Sequence, residues 1–304
     1  MKAINNIFSI KYLAMVAPVL VGVFFSCGNG SDILDSTDTQ NINSVSTSSA
    51  LFNEGSDMSA NVIKGLTVAQ YSGARVNGEV IANLGRFDGR LACAHITITR
   101  TGTFLNPSGT ITINYDSLTT CSDSIGVKRR GKIIISYSGR KWSVGSSVTI
   151  QFQNFYRNFS KIEGTLSDTV LNANDTTSIQ FVSRLDDGKI TFADGDSVSR
   201  SHKLNRTWHR SVIRDNNEWL VLGAATGTNK KNGQYEMEIT NNKPLVYRVI
   251  CLKSKIFIPV SGEEKIYVGK NNYTIDFGSN VCDNLITVTV GSKVKVIAVT
   301  ADGN

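Results

Sequence analysis

Strict alternation of apolar and polar residues constrains the fold of this 304-residue chain more than any other feature of its sequence. The alternation is clearest in residues 96–99, 111–115, 148–153 and 287–290. Successive side chains of a strand point to opposite faces, so this pattern buries one face of a sheet and leaves the other in water, as in antiparallel sheets. No long helical repeat separates the runs, which argues against a parallel α/β sheet. We therefore expect an all-β fold, an antiparallel meander or sandwich, over residues 76–304.

Four cysteines lie in this region, and their surroundings predict two similar halves. Residues 93–140 and 251–299 resemble each other, because each contains two cysteines with a Thr-Ile-(Asn or Asp)-aromatic block just before the second. Four cysteines allow three pairings. The internal repeat favours one bond within each half, Cys93 with Cys121 and Cys251 with Cys282. Each bond would stabilise the fold by about 3–4 kcal/mol through loop closure.

The N-terminus has the composition of an export signal. Lys2 and Lys11 precede an apolar run over residues 12–25, which is shorter than the roughly 20 residues that a membrane-spanning helix needs. The run ends at Ser26 and Cys27 and resembles the lipobox of bacterial lipoproteins, whose cysteine receives a diacylglyceryl group and becomes the N-terminus. We expect a signal peptide over residues 1–26 and a membrane anchor at Cys27. A plain secretory signal is the alternative.

The segment after Cys27 is rich in Ser, Thr, Asn and Asp. Such a composition buries too little apolar surface to offset the entropy of ordering the chain. We therefore expect a flexible tether over residues 27–56. Residues 57–75 place Val62, Ile63 and Leu66 on one helical face and predict a short helix there.

Several segments resemble a group of known proteins. Residues 109–115, 131–140, 162–165, 187–195 and 206–208 resemble uncharacterised lipoproteins common in Bacteroidota. The resemblance implies an exported, all-β lipoprotein and implies no activity or catalytic residue. Lipoproteins of that phylum often carry several acidic residues after the cysteine as a signal for surface display, and this chain has a single acid there. We expect the outer membrane, with the periplasmic face favoured over the cell surface.

The charge of the chain argues against a nucleic-acid partner. The formal net charge is +7, and the basic residues are scattered apart from Lys128, Arg129 and Arg130. Nucleic-acid binding would require a concentrated basic face with matching motifs. The sequence predicts no nucleic-acid partner and no cofactor.

Motifs for nucleophilic or metal-dependent catalysis are absent from the sequence. The three histidines are His95, His202 and His209, and no G-x-S-x-G, H-E-x-x-H or glycine-rich phosphate loop occurs. His202 and His209 would point to opposite faces of one strand, which disfavours a shared metal ion. No C-x-x-C pair supports a zinc site.

Paired acids leave open a second function, a secreted carboxylate-dependent hydrolase acting on glycans. The pairs are Asp186 with Asp187, Asp194 with Asp196, and Glu263 with Glu264. Each lies beside glycine in an expected turn, where acidic side chains usually bond their own backbone. Asp194 and Asp196 would suit calcium, but the remaining ligands of an EF-hand loop are missing.

Aromatic residues carry the best binding hypothesis. Phe152, Phe155, Tyr156 and Phe159 crowd one stretch among amide side chains, with Trp142 upstream and Trp208 and Trp219 further along. Flat rings beside amides suit stacking on sugar rings. The candidate ligand-binding residues are Trp142, Phe155, Tyr156 and Trp208. Core packing is the alternative, and the alternation of Phe152 and Tyr156 favours it.

Together these features predict a lipid-anchored cell-envelope protein without catalytic activity. Its expected role is to bind a polysaccharide or another envelope protein, or to serve as a structural component. The glycan hydrolase is the alternative.

Overall fold

One sheet and one long helix make up the part of the protein that the structure describes. The computed structural model describes residues 34–69, 74–76, 79–82, 84–85, 88–115, 121–123, 126–173, 177–254, 256 and 258–299. The helix, α1, spans Ser36–Ala69. The described strands form one sheet of 17 strands, and every pair in it is antiparallel. The prediction of an all-β, antiparallel fold is confirmed.

The strands follow α1 in chain order: β1 (Ala74–Val76), β2 (Glu79–Ala82), β3 (His95–Arg100), β4 (Ser108–Tyr115), β5 (Cys121–Ser122), β6 (Lys128–Ser138), β7 (Ser147–Arg157), β8 (Ser160–Asn172), β9 (Ser178–Thr191), β10 (Ser197–His209), β11 (Glu218–Thr228), β12 (Gln234–Ile239), β13 (Leu245–Arg248), β14 (Ser261–Val268), β15 (Asn271–Ser279), β16 (Leu285–Val290) and β17 (Lys293–Ala298). Short 3-10 helices span Gly89–Leu91, Arg214–Asn216 and Val249–Ser254.

The strands form an up-and-down meander. Most strands pair with their neighbours in the chain, β5 extends the line of β4 along β6, and β12 and β13 together pair with β11. Consecutive connections therefore lie at alternate ends of the sheet. We call one end the loop rim; it contains the connections 101–107, 139–146, 210–217, 249–254 and 280–284, the strand ends that they join, and Leu171 and Asn172 at the end of β8. We call the other end the helix end.

Helix α1 crosses one face of the sheet, which we call the inner face, close to the helix end. Asn41 Nδ2 donates to Tyr273 Oη at 2.8 Å, and Asn229 Nδ2 donates to Asn41 Oδ1 at 2.8 Å. Further along α1, Met58 Sδ lies 3.8 Å from Tyr115 Oη. Tyr273, Asn229 and Tyr115 all lie at or near the helix end of their strands, on opposite halves of the sheet. The helix therefore spans both halves.

A hydrophobic core lies on each half of α1. Phe52 and Met58 belong to the first core, with buried side chains from β3 to β10. Ile42 and Val45 belong to the second, with buried side chains from β10 to β17. The division into two similar halves is confirmed, and β10 contributes to both. Among the described residues, no helix combines the length and apolar character needed to cross a membrane.

Two disulfides connect the cysteines as the internal repeat predicts. Cys93 and Cys121 are bonded with their Cα atoms 5.9 Å apart, and Cys251 and Cys282 with theirs 5.2 Å apart. Each bond encloses a hairpin, β3–β4 in the first half and β14–β15 in the second. The aromatic residue of each repeated block is buried, Tyr115 in β4 and Phe277 in β15.

The structure corrects the interpretation of the N-terminal segment. The prediction of a tether over residues 27–56 is wrong for residues 36–56, which form the first part of α1. The short helix predicted over residues 57–75 is the last part of the same helix, which ends at Ala69. Phe52 and Val45 are almost completely buried, and so is Ser48, because α1 packs against both halves of the sheet. Residues 1–33, with the signal peptide, Cys27 and the start of the tether, lie outside the described residues.

Buried ion pairs join α1 to the first half of the sheet. Glu54 Oε1 lies 2.5 Å from Arg129 Nη2, and Glu54 Oε2 lies 2.8 Å from Arg157 Nε. Arg129 also pairs with Asp123 Oδ2 at 3.0 Å. Burial opposes ionisation of Glu54, but the charges of Arg129 and Arg157 outweigh burial and hold its pKa below the usual value. The carboxylate is therefore ionised at neutral pH and holds two strands against the helix.

We expect a chain that begins at residue 57 not to fold, because it lacks the turns of α1 that fill both cores. Losing one large core side chain costs about 2–5 kcal/mol, and several such losses exceed the roughly 5–15 kcal/mol that stabilises a typical domain. Circular dichroism and thermal unfolding measure the outcome. A chain that begins at residue 34 keeps all of α1 and is the control. A cooperative unfolding transition in the shorter chain would contradict the role of α1 as a core element.

Glu54→Gln should lower the free energy of unfolding at neutral pH by about 3 kcal/mol, because it leaves buried arginines partly unpaired. The folded pKa of Glu54 lies below its unfolded value, so its stabilising contribution is complete above the unfolded pKa and disappears as the pH falls through the folded pKa. The difference between wild type and variant should therefore shrink in acid. Chemical denaturation between neutral and acidic pH measures it. Glu163→Gln, which removes a partly exposed pair with Lys161, is the control and should change stability little.

Candidate functional site

All three tryptophans of the chain meet in one aromatic cluster, which we define as Trp142, Phe181, Trp208 and Trp219. The rings of Trp208 and Trp219 stack with their centroids 5.2 Å apart and an interplanar angle of 8°. Trp142 contacts Trp208 at 5.0 Å, and Phe181 meets Trp219 edge-on at 5.4 Å. All four side chains are half-buried. The sequence predicts Trp142 and Trp208 as ligand-binding residues, and the structure places them in contact.

The register of the sheet puts this aromatic cluster on the inner face at the loop rim. Trp208 of β10 is directly opposite Trp219 of β11, on the same face as the buried Leu204. Two residues before Trp208, Arg206 Nη2 donates to Asn53 Oδ1 of α1 at 2.9 Å. The aromatic cluster therefore lies on the rim side of the helix, at the mouth of the inner face.

Trp142 has a strained backbone. Its φ is 68°, in the left-handed region, which costs a residue other than glycine on the order of 1 kcal/mol or more. It lies in the tight connection between β6 and β7, where Gly139 and Gly145 also have positive φ. Strained residues persist where their surroundings hold them in place, and they concentrate at functional sites. The strain singles out Trp142 within the aromatic cluster.

Cations flank the aromatic rings. Lys141 Nζ lies 5.0 Å from the centroid of Trp142, and Arg210 Cζ lies 5.1 Å from that of Trp208. Both basic residues are exposed. Trp208 Nε1 is buried and has no hydrogen-bond acceptor among the described residues, an arrangement that costs free energy until an acceptor is supplied. Ring faces, cations and this N–H donor together can stack on a sugar ring and bind its oxygen atoms.

Polar side chains on β8, β9 and β10 line the inner face between the aromatic cluster and the helix end. Asp168 is opposite Ser183 in the register. Burial raises the pKa of Asp168, and the positive charge of Arg206 opposes this effect. On the same face, Arg200 Nε donates to His202 Nδ1 at 3.4 Å. Burial lowers the pKa of His202 well below its usual value, and the charges of Arg200 and Arg206 lower it further, so the imidazole is neutral at physiological pH.

The outer face of the sheet carries an open groove of about 1110 Å³. Its wall contains hydroxyl, amide and aromatic side chains from β10, β11, β12, β14 and β15, among them Ser199, Ser201, Thr226, Thr228, Gln234, Tyr267 and Asn272. Hydroxyls and amides can bind polar ligands, and Tyr267 offers one ring. This groove and the aromatic cluster lie on opposite faces of the sheet, so they are separate candidate sites.

The structure contradicts Phe155 as a ligand-binding residue. Its side chain is 2% exposed and contacts Tyr115 and Phe152 at centroid distances of 5.9 and 5.7 Å in the first core. A register shift between Gln151 and Phe155 interrupts the strand, with Asn154 at a φ of 47°. A bulge of this kind moves later side chains to the other face, which is why Phe152 and Phe155 both point inward.

Tyr156 does not join the aromatic cluster. It points outward beneath Arg130, whose Cζ lies 3.8 Å from the ring centroid. Tyr156 lies near the helix end of β7, about 30 Å along the strand from the rim connection that holds Trp142. Of the four candidate residues, the structure brings together Trp142 and Trp208.

A lysine engages the acid pair Asp194 and Asp196, and Glu263 and Glu264 have different surroundings. Lys230 Nζ lies 3.1 Å from Asp194 Oδ2 and 3.8 Å from Asp196 Oδ2. Glu263 Oε2 pairs with Lys243 at 2.7 Å, whereas burial raises the pKa of Glu264. Because their surroundings differ, the side chains of Glu263 and Glu264 do not form a shared acid–base site.

The histidines are also dispersed. His95 is exposed on β3, and His202 and His209 point to opposite faces of β10, as their spacing predicts. Within the described ranges, no three His, Cys, Asp or Glu side chains are grouped to hold a metal ion.

No protein-family model, curated protein or solved structure matches the chain. The inference of function therefore depends on the chemistry of the sites themselves.

No sequence pattern predicts a role for Phe181, and Trp219 is not among the predicted ligand-binding residues. Trp208 and Trp219 flank the connection 210–217 almost symmetrically, so a hairpin at that position would have predicted their pairing. Phe181 reaches Trp219 from β9, on the far side of β10, and its contact depends on the packing of three strands.

Proposed function

We propose that this chain is a lipid-anchored envelope protein that binds a ligand without chemical conversion, and that the aromatic cluster is its binding site for polysaccharide. The anchor would be an acylated Cys27. The proposed location is the periplasmic face of the outer membrane, since a single acid follows Cys27 where surface-displayed lipoproteins often have several.

The juxtaposition of three tryptophans at the open mouth of the inner face carries the proposal. Single tryptophans are often partly exposed, but several large rings grouped at an open surface are typical of a binding site. The stacked pair Trp208–Trp219 and the strained Trp142 form an aromatic surface next to Lys141 and Arg210. Flat rings match the apolar faces of pyranose sugars, and the cations suit acidic substituents.

The predicted lipoprotein character supports the same role. The apolar run that ends at Cys27 resembles a lipobox, and segments of the β region resemble uncharacterised Bacteroidota lipoproteins. An anchored protein of the envelope meets polysaccharides at high local concentration. Binding to another envelope protein through the same cluster is the alternative within this proposal.

Tryptophan fluorescence offers a direct binding test, because all three tryptophans belong to the aromatic cluster. The unacylated chain of residues 27–304 with Cys27→Ser should change its fluorescence when titrated with neutral and acidic bacterial and host polysaccharides. Trp142→Gly should weaken binding about tenfold, since one aromatic contact contributes on the order of 1 kcal/mol. Glycine accepts the positive φ at this position, so the melting temperature should change little.

Tyr267→Ala is the matched control, because it removes one aromatic ring from the outer groove and leaves the aromatic cluster intact. Lost binding in Tyr267→Ala with normal binding in Trp142→Gly would move the site to the groove. Reducing ends released by the wild-type chain would favour the hydrolase instead. If no polysaccharide binds, the polysaccharide proposal is wrong.

Mass spectrometry of the protein purified from bacterial membranes tests the anchor. We expect a mature N-terminus at Cys27 that carries the added mass of acyl chains, because two or three chains hold a protein firmly on a membrane. Cys27→Ser should move the protein from the membrane to the soluble fraction. A mature chain that begins elsewhere and carries no acyl group would contradict the anchor and leave the polysaccharide test unaffected.

A further inference from the structure

Exposed apolar side chains concentrate at the loop rim. Nine of the twelve large apolar side chains that are exposed among the described residues lie there: Phe104, Leu105, Val144, Leu171, Val212, Ile213, Ile250, Val281 and Leu285. The other three are Phe159 at the helix end and Val294 and Val296 on β17. Single exposed apolar residues are ordinary, whereas their concentration in one region indicates an interaction surface.

The most prominent of these residues project from the tips of separate connections. Phe104 is 91% exposed in the connection between β3 and β4, and Val212 is fully exposed in the one between β10 and β11. Val144 projects from the connection between β6 and β7. The meander topology brings these connections to one end of the sheet, although they are far apart in the sequence. The tips therefore form an apolar row across several strands.

Basic residues accompany this row. The described connections of the loop rim carry five basic residues, Arg140, Lys141, Arg210, Arg214 and Lys253, and two acidic ones, Asp215 and Asp283. All five basic residues are exposed, and Lys253 forms an ion pair with Asp215. The described connections of the helix end are balanced, with Arg90, Lys230, Lys231 and Lys270 against Asp88, Asp123, Asp194 and Asp196. Positive charge and apolar tips thus coincide at one end only.

Cations and rings are also interleaved at the loop rim. Arg140 Cζ lies 5.7 Å from the centroid of Phe104 and joins two connections, and Arg210 lies above Trp208. Three kinds of group hold proteins at a bilayer surface: apolar side chains that enter the acyl boundary, aromatic rings at the level of the headgroups, and cations that face anionic lipid.

We propose that the loop rim binds the surface of an anionic lipid bilayer. The apolar tips insert between headgroups, and the exposed arginines and lysines pair with lipid phosphates. The strands then stand on the membrane with α1 at the far end of the sheet. This contact is separate from the acyl chains of the proposed anchor and does not depend on polysaccharide binding.

Vesicle sedimentation with the chain of residues 27–304 carrying Cys27→Ser tests the proposal without an acyl anchor. This chain contains every described helix and strand. We expect it to bind vesicles of phosphatidylcholine and phosphatidylglycerol at least tenfold more strongly than vesicles of phosphatidylcholine alone, and to bind less as salt rises. The paired change Phe104→Ser and Leu105→Ser should reduce binding at least tenfold. Arg140→Gln with Arg210→Gln should remove the preference for phosphatidylglycerol.

Matched controls test whether exposed apolar and basic side chains outside the loop rim also contribute to vesicle binding. Val294→Ser with Val296→Ser removes comparably exposed apolar side chains on β17, and Lys231→Gln with Lys270→Gln removes two cations at the helix end. Both controls should bind vesicles like the parent chain, and thermal unfolding checks that every variant is folded. Absent binding to phosphatidylglycerol vesicles, or equal losses in rim variants and controls, overturns the proposal. Self-association that depends on the rim residues, without vesicle binding, would assign the surface to protein contacts and also overturn it.

Discussion

The burial of α1 against the inner face of the sheet is the constraint on which the rest of this structure depends. A meander of this length has two halves, and neither core would be complete without the side chains of the helix. The ion pairs of Glu54 with Arg129 and Arg157 hold the helix in one register relative to the strands. A second pair, between Asp57 and Arg90, does the same closer to the C-terminal part of the helix. Buried pairs of this kind cost desolvation free energy, and their best-supported benefit is specificity of arrangement.

The position of the helix also decides where ligands can reach the inner face. Because α1 lies near the helix end, the opposite part of the inner face is free of it, and the aromatic cluster occupies that mouth. The same topology collects the apolar tips and basic residues of separate connections at the loop rim. The proposed polysaccharide site and the proposed bilayer contact therefore have one structural origin, an antiparallel meander whose inner face is covered by α1 near one end only.

Some features of the first core are predictable from the sequence and others are not. Alternation identified β3, β4 and β16 because these strands keep their period without interruption. In β7 alternation gives the wrong side for Phe155, because a bulge near Asn154 turns the side chains after it to the opposite face of the sheet. The disulfide pairing was predictable, since each pair closes a local hairpin. The helix over residues 36–56 was not, because serine, threonine and asparagine have weak helical propensity and the stability of α1 comes from packing.

The sequence by itself determined that this protein is built from antiparallel strands in two similar halves, each closed by a disulfide. Those properties follow from local periodicity and from residues close together along the chain. Only the tertiary structure decided that a polar N-terminal segment becomes the central helix, that Trp142, Trp208, Trp219 and Phe181 meet, and that the exposed tips share one rim. These outcomes depend on strand register and on burial by distant residues, and neither quantity is encoded in any short stretch of sequence.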